Sequence, residues 1–333
     1  MRAQPMFPAA GLDRGMYESF YLRAVSPERP LGLWIRHTVH KRPGAFARGS
    51  AWVTVFDAAR PAPLMAKRTG PLPLVPRDGW IEVAGEAAMG PGWARGSCGE
   101  LQWSLRIHAR EPELRHLRPS WLYRSPLPRT KLTSPAPLAA VGGTVRLPGG
   151  ETLELRDWPG MVGHNWGTEH AARWIWVHGA GFAEDPGGWV DVALARVAVG
   201  RRLTPWLASG AISLDGRRRR LGRPGRPVRV RADATGCSVE LAGESGLGVS
   251  LRASVPQGTA AGWRYADPRG GTGPGSAGEH DVVNCSIAGL ELTVREGAGV
   301  SSLSSDHAGA YELGLPAGGA PPPGVAVAPF PDG

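Results

Sequence analysis

The sequence predicts an all-β fold of two tandem antiparallel barrels. Three observations predict it: 48 Gly and 32 Pro among 333 residues, short apolar runs that alternate and are rich in β-branched and aromatic side chains, and a faint internal repeat. Gly and Pro at this frequency are costly inside helices but natural in the turns of a many-stranded chain. The length exceeds one usual domain, so each half is large enough to bury a core.

Residues 1–14 are punctuated by Pro and Gly and are expected to be poorly ordered. Segments 18–23, 31–40 and 51–56 are bounded by Pro or Gly and read as strands, and 80–83 and 99–107 continue the series. Residues 116–137 are rich in Pro, Ser and Arg and read as a long crossing loop around Trp121, Leu122 and Tyr123. Residues 144–155 form a hairpin turning at Gly149 and Gly150. Further strands cover 188–197, 248–255 and 281–294, with 208–221 and 228–241 as hairpin arms around an Arg-rich run. Residues 267–280 form a Gly/Pro loop expected to be mobile, and the Pro-rich tail from Pro316 has too little apolar surface to order itself.

The repeat consists of three short matches in unchanged order: Trp34-Ile35 with Trp174-Ile175, Ser104-Leu105-Arg106 with Ser250-Leu251-Arg252, and Leu153-Glu154-Leu155 with Leu290-Glu291-Leu292. Their offsets are 140, 146 and 137 residues. Units of that length suit lipocalin-type barrels, whose up-and-down strands remove exposed edges and enclose a small-ligand cavity. The expected division is 1–14 as a leading segment, 15–158 and 159–315 as the two barrels, and 316–333 as a tail.

The formal charge of +9 raises the question of an acidic partner. Eight Arg lie between Arg217 and Arg231, but no aromatic interrupts them, so the stacking pattern of single-strand nucleic-acid binders is missing and no nucleic-acid partner is expected. The arginines are expected to point into water from a hairpin, where they would allow weak, salt-sensitive contact with an anionic membrane. Cys98, Cys237 and Cys285 form no CxxC pair, which argues against a zinc ribbon, a redox dithiol or a disulfide framework. No apolar stretch has signal-peptide or membrane-span character, so the expected location is cytoplasmic.

Trp, His and Gly crowd most closely in residues 158–182. Gly163 and Gly167 flank His164-Asn165-Trp166 and suggest a tight backbone feature that aims polar side chains at one place. Trp174, Trp176 and His178 share one face under period-two geometry, with Ile175 and Val177 on the other, as in a strand that lines a cavity and is packed from outside. A Trp-rich core strand with a satisfied histidine is the competing reading.

Gly163-His164-Asn165-Trp166-Gly167 followed by Trp174-Ile175-Trp176-Val177-His178 resembles the signature of the two-barrel, lipocalin-like proteins that include carotenoid 1,2-hydratases (hydroxyneurosporene synthases), with tocopherol cyclases and Diels-Alderase-type cyclases as more distant relatives. The resemblance implies two barrels, a site near their junction, and a functional set of a His-x-Trp pair and a Tyr-x-Asp pair. His164 and Trp166 match the first pair. Trp189-Val190-Asp191 is nearest to the second, with Trp189 where a Tyr belongs, which removes a phenol able to relay a proton.

Protonating a carbon–carbon double bond needs a placed acid and walls that protect the resulting cation, and Trp ring faces meet the second need. Asp191 is the expected acid, its pKa raised by burial near Trp189, with His164 orienting it or a water and Asn165 anchoring the turn. An ion pair between Asp191 and an Arg such as Arg196 is the alternative. His164, His170 and His178 lack a recognised metal spacing, so no metal and no cofactor are expected. The expected activity is a cofactor-independent hydratase, cyclase or isomerase on a lipophilic molecule, held by Asn165, Trp174, Trp176 and His178. A non-catalytic carrier of such a molecule explains the tryptophans equally well.

Overall fold

A computed structural model describes residues 1, 3–200, 202–269, 278–318, 322 and 324–327. They contain two large antiparallel sheets and, apart from three short 3-10 turns, no helix. No helix among them is long and apolar enough to cross a membrane.

The first sheet runs from β1 (Met16–Val25), β2 (Leu31–Lys41), β3 (Arg48–Asp57) and β4 (Leu64–Pro71) through β5 (Ile81–Val83), β6 (Ala87–Gly90), β7 (Trp93–Cys98), β8 (Leu101–Ala109) and β9 (Leu114–Arg115) to the long β10 (Thr130–Arg146) and β11 (Thr152–Gly167). Its order is β4-β3-β2-β1-β11-β10-β8-β7-β6-β5, and a bridge between Leu74 and Glu82 draws the two edges together. The second half contains β12 (Arg173–Ala180), β13 (Trp189–Arg196), the small hairpin β14 (Ala198–Val199) and β15 (Arg202–Leu203), β16 (Leu207–Leu214), β17 (Arg217–Leu221), β18 (Arg229–Asp233), β19 (Gly236–Ala242), β20 (Gly248–Ser254), β21 (Ala260–Ala266), β22 (Glu279–Glu296), β23 (Gly299–Pro316) and β24 (Val325–Val327). Its sheet has the order β17-β16-β13-β12-β23-β22-β20-β19-β18, so in each half the first and last long strands are neighbours.

The two halves therefore repeat one plan, β1 corresponding to β12, β8 to β20, β10 to β22 and β11 to β23. Of the three sequence matches, only Ser104/Ser250 falls on corresponding strands; Trp34 lies on β2 and Trp174 on β12, and Leu153 on β11 and Leu290 on β22. Both long hairpins carry β-bulges, between Thr133 and Gly143 on β10 and between Cys285 and Leu290 on β22, which bend the strands as a barrel requires.

Side chains divide by period two. On β1, Phe20, Leu22 and Ala24 enter the first core, while Tyr21 and Val25 belong to clusters shared with the second half. The outer face of the first barrel contributes Trp34, Trp52 and Phe56 to the large cluster that holds Ile175, Val177, Val192 and Trp263. The barrels thus meet through sheet faces.

Several expectations change. The first sheet continues to Gly167 and the second begins at Arg173, so 159–167 completes the first barrel instead of opening the second. Part of the leading segment is docked: Phe7 is buried, and the backbone N–H groups of Met6 and Phe7 donate to the Glu18 carboxylate. The segment 116–137 holds a 3-10 turn at Ser120–Tyr123, and β10 already starts at Thr130. Part of the 267–280 loop and most of the tail beyond Gly318 lie outside the described residues, although Val325–Val327 pairs with β21. In the basic run Arg217, Arg223, Arg226, Arg229 and Arg231 are exposed, whereas Arg218 pairs with Glu111 and lies 5.0 Å over the Trp189 ring and Arg219 pairs with Glu296.

Candidate functional site between the barrels

Asp191 on β13 is fully buried and bound from both halves. Trp176 on β12 donates its indole N–H to Asp191 Oδ1 at 2.9 Å, and Ser134 on β10 donates its hydroxyl to Oδ2. His116 Nε2 lies 3.4 Å from Oδ2 and 3.2 Å from Ser134 Oγ, while its Nδ1 faces the Ser209 carbonyl at 3.2 Å. The Ser134 proton is directed at Asp191, so the His116 ring is held between the Ser209 carbonyl on one side and Ser134 with Asp191 on the other.

Burial alone would raise the Asp191 carboxyl, but the charge and hydrogen bond of His116, with the hydroxyl of Ser134, outweigh it and hold the group at about 2. The shift runs opposite to the raised carboxyl expected for Asp191, whose partner is His116, whereas Arg196 donates to the Thr204 carbonyl. His178 opposite Asp191 is neutral: its Nε2 donates to the Pro137 carbonyl at 2.8 Å, leaving Nδ1 to accept from Arg23 at 3.1 Å, and burial with the Arg23 charge lowers it to about 4. Arg23 itself, fully buried, also donates to the carbonyls of Ser286 and Ala308 and has no ion-pair partner among the described residues. Burial lowers it to about 9.

A second carboxyl has the property expected of Asp191. Glu312 on β23 is paired in register with Trp176 and accepts from Trp174 Nε1 at 2.8 Å and from Asn284 Nδ2 at 3.1 Å. Burial raises its pKa against the pull of those two donors and of Arg36. It nevertheless remains partly accessible, as do Trp174 and Ala193 on the same side. Tyr21 on β1 meets Trp176 edge to face at 5.7 Å and lies within electrostatic reach of both Asp191 and Glu312. Burial, then the two carboxyls, raises the Tyr21 phenol well above its ordinary range.

Trp174, Trp176, His178 and Asp191 thus come together on the outer face of the second barrel, against the outer face of the first. His164 does not join them. It lies inside the first barrel between Phe20 and Trp166 at ring distances of 4.2 and 4.5 Å, with Nε2 2.7 Å from Glu18. Trp166 also stacks on Tyr123, at 5.9 Å. Asn165 points the other way and accepts from Ser19 Oγ. Trp189 is buried among Leu114, Ala180 and Ala211. The stretch around Gly163 is extended strand, not a tight turn: the ring of Tyr21 occupies the space a Cβ on Gly163 would need, and Trp174 lies in the same way over Gly314.

Sequence reasoning missed His116, Ser134, Tyr21, Glu312 and Asn284. Each comes from a strand or loop far along the chain, and only Glu312, within an alternating segment, could have been flagged as a carboxylate facing away from the core. Beside Trp174 a further group gathers, with His170 and His280 both directed at Asp267. An open groove of about 580 Å³ bordered by Gln102, Ser104, Thr144 and Arg146 shares no residue with any of these groups.

No family model matches the chain. Two uncharacterized proteins of Mycobacterium tuberculosis, from strains CDC 1551 / Oshkosh and ATCC 25618 / H37Rv, are each 29% identical over 317 residues, covering 92% of this chain and 88% of theirs. In structure the chain is similar to a Nitrosomonas europaea protein provisionally designated AttH, with a TM-score of 0.53, 16% identity, and coverage of 93% of this chain and 96% of that one. It is also similar to kievitone hydratase from Nectria haematococca, with a TM-score of 0.50, 9% identity, and coverage of 93% and 90%. At these identities the likeness is one of fold.

Proposed function

We propose that this protein is a cofactor-independent hydratase, cyclase or isomerase whose hydrophobic, isoprenoid- or polyketide-like substrate lies between the two barrels. Glu312 carries the reading: a carboxyl raised by burial, oriented by Trp174 and Asn284, still partly accessible and bordered by aromatic rings. A fold shared with a protein named as a hydratase supports the same class.

In the hydration case the Glu312 proton forms a new C–H bond with the alkene, and the cation develops against the faces of Trp174, Trp176 and Tyr21. Water then adds to the cation, and its surplus proton returns to Glu312. A ring closure replaces the water by a nucleophile of the substrate, and an isomerisation returns a neighbouring proton instead. Asp191, ionised and tied to His116, supplies fixed negative charge near the cation, and Tyr21 provides from β1 the phenol that Trp189 lacks.

Solvent extraction of the purified protein followed by mass spectrometry identifies the apolar compound it holds. With that compound as substrate, Glu312→Gln is expected to lower turnover about 100-fold or more while preserving binding measured by Trp quenching. Unchanged turnover in Glu312→Gln would refute the acid assignment. A stoichiometric lipophile that neither parent nor variant converts would instead mark a carrier.

A further inference from the structure

We infer that His170, Asp267 and His280 form a binding site for one divalent transition-metal ion of the zinc type. His170 lies between β11 and β12, Asp267 just after β21, and His280 at the start of β22, so the site would tie three separate segments of the second barrel together. One ligand atom from each residue lies within 4.8 Å of the others.

The arrangement is specific. His170 Nδ1 approaches Asp267 Oδ1 at 2.6 Å, and the backbone N–H of His170 donates to the same oxygen at 2.7 Å, which fixes the carboxylate relative to the ring. His280 Nε2 approaches the other oxygen, Oδ2, at 3.3 Å. Without a cation each ring must turn an N–H toward Asp267, because a carboxylate only accepts. The remaining nitrogens, His170 Nε2 and His280 Nδ1, are buried and have no partner among the described residues. The hydrogen-bond network alone therefore leaves two buried imidazole lone pairs unmatched, an arrangement that costs free energy.

An ion bound to one nitrogen of each ring and to Asp267 takes a lone pair from each imidazole and meets the carboxylate charge directly. Two imidazoles and one carboxylate suit zinc or a neighbouring transition ion, whereas calcium and magnesium take oxygen ligands. Bond lengths of about 2.0–2.2 Å set tetrahedral ligand atoms roughly 3.4 Å apart, so the 2.6 Å contact between His170 and Asp267 must open and the widest separation, at most 4.8 Å, must close, both within the reach of side-chain rotation. Tyr17 stacked on His170 at 4.0 Å and Trp174 at 5.6 Å give the site aromatic walls that limit access by water. The expectation of no metal arose from testing His164, His170 and His178, which share no centre; the ligand set draws on residues 97 and 13 positions apart. The inference is independent of Glu312 acting as an acid.

The test is calorimetric titration of the full chain, freed of metal with a chelator, with zinc and separately with magnesium. One equivalent of zinc is expected, with none of magnesium, and cobalt substitution should give a visible absorption band and quench Trp174. Asp267→Asn and His280→Ala should each weaken zinc binding at least 100-fold, while His307→Ala leaves it unchanged. Absence of stoichiometric zinc binding in the parent chain would overturn the assignment, as would unchanged affinity in both site variants. If those variants fail to fold, the cobalt band of the parent decides: a spectrum of water or oxygen ligands only, without imidazole, is equally fatal.

Discussion

The ring of Tyr21 lies across Gly163, its register partner on β11, and occupies the space where any side chain at 163 would begin. Gly163→Ala is therefore expected to push Tyr21 toward Trp176, destabilising the fold by about 1–3 kcal/mol and misplacing the phenol. Thermal denaturation measures the first effect. A loss of ligand-induced Trp quenching larger than that of Tyr21→Phe measures the second.

Glu312 offers a trade between stability and activity. Its carboxyl is raised by burial, so at neutral pH the folded state bears the cost of ionising it. Glu312→Gln should raise stability at pH 7–8 by on the order of 1 kcal/mol and show no gain at low pH, where the parent carboxyl is already protonated. A denaturant titration at both pH values checks the sign. Trp174→Phe removes a donor that favours the ionised form, so the falling alkaline limb of the pH–rate profile should move to higher pH.

Two buried histidines contribute to the response to acid. His37 inside the first barrel, with neither ring nitrogen partnered among the described residues, is lowered by burial to about 3, and His178 is lowered to about 4. Both folded values lie below the unfolded one near 6.5, so the unfolded chain gains protons first as pH falls. The contribution of these two histidines should be level above pH 6.5 and decline below it toward pH 4, each giving a little over 1 kcal/mol per pH unit. His37→Leu should shallow that decline and raise stability at pH 7 by roughly 1 kcal/mol, as measured by urea unfolding across the range.

Arg218 is held by Glu111, by the carbonyls of Glu113 and Pro112, and over Trp189. Arg218→Ser should cost roughly 1 kcal/mol, whereas Arg231→Ser should cost nearly nothing. Comparing the two melting temperatures at low and high salt separates the ionic part of the loss from the stacking part.

Alternation made the strands legible: Trp174, Trp176 and His178 occupy one face, with Ile175 and Val177 in the core behind them. The doubled architecture was visible too, but two of its three sequence matches lie on strands that do not correspond. The preserved features are spatial, such as an aromatic ring over a glycine on the neighbouring strand, Tyr21 over Gly163 and Trp174 over Gly314. The partners of Asp191 stayed hidden because its pKa depends on His116 and Ser134, more than fifty positions earlier in the chain. A solitary histidine at the start of a Pro-rich segment carries no local sign that it will meet a buried carboxylate. His164 lies away from Asp191 for the complementary reason, since neighbours along a strand alternate between the two sides of a wall.

Trp34, Trp52 and Phe56 grow from the first barrel yet belong to the hydrophobic cluster of the second. If the repeated plan descends from two copies of one ancestral unit, those copies have since surrendered their autonomy. Each half alone would expose part of that shared cluster, so the fragments of a chain severed in the 168–172 connector are expected to reassemble as a heterodimer. The intact chain should melt in one calorimetric transition.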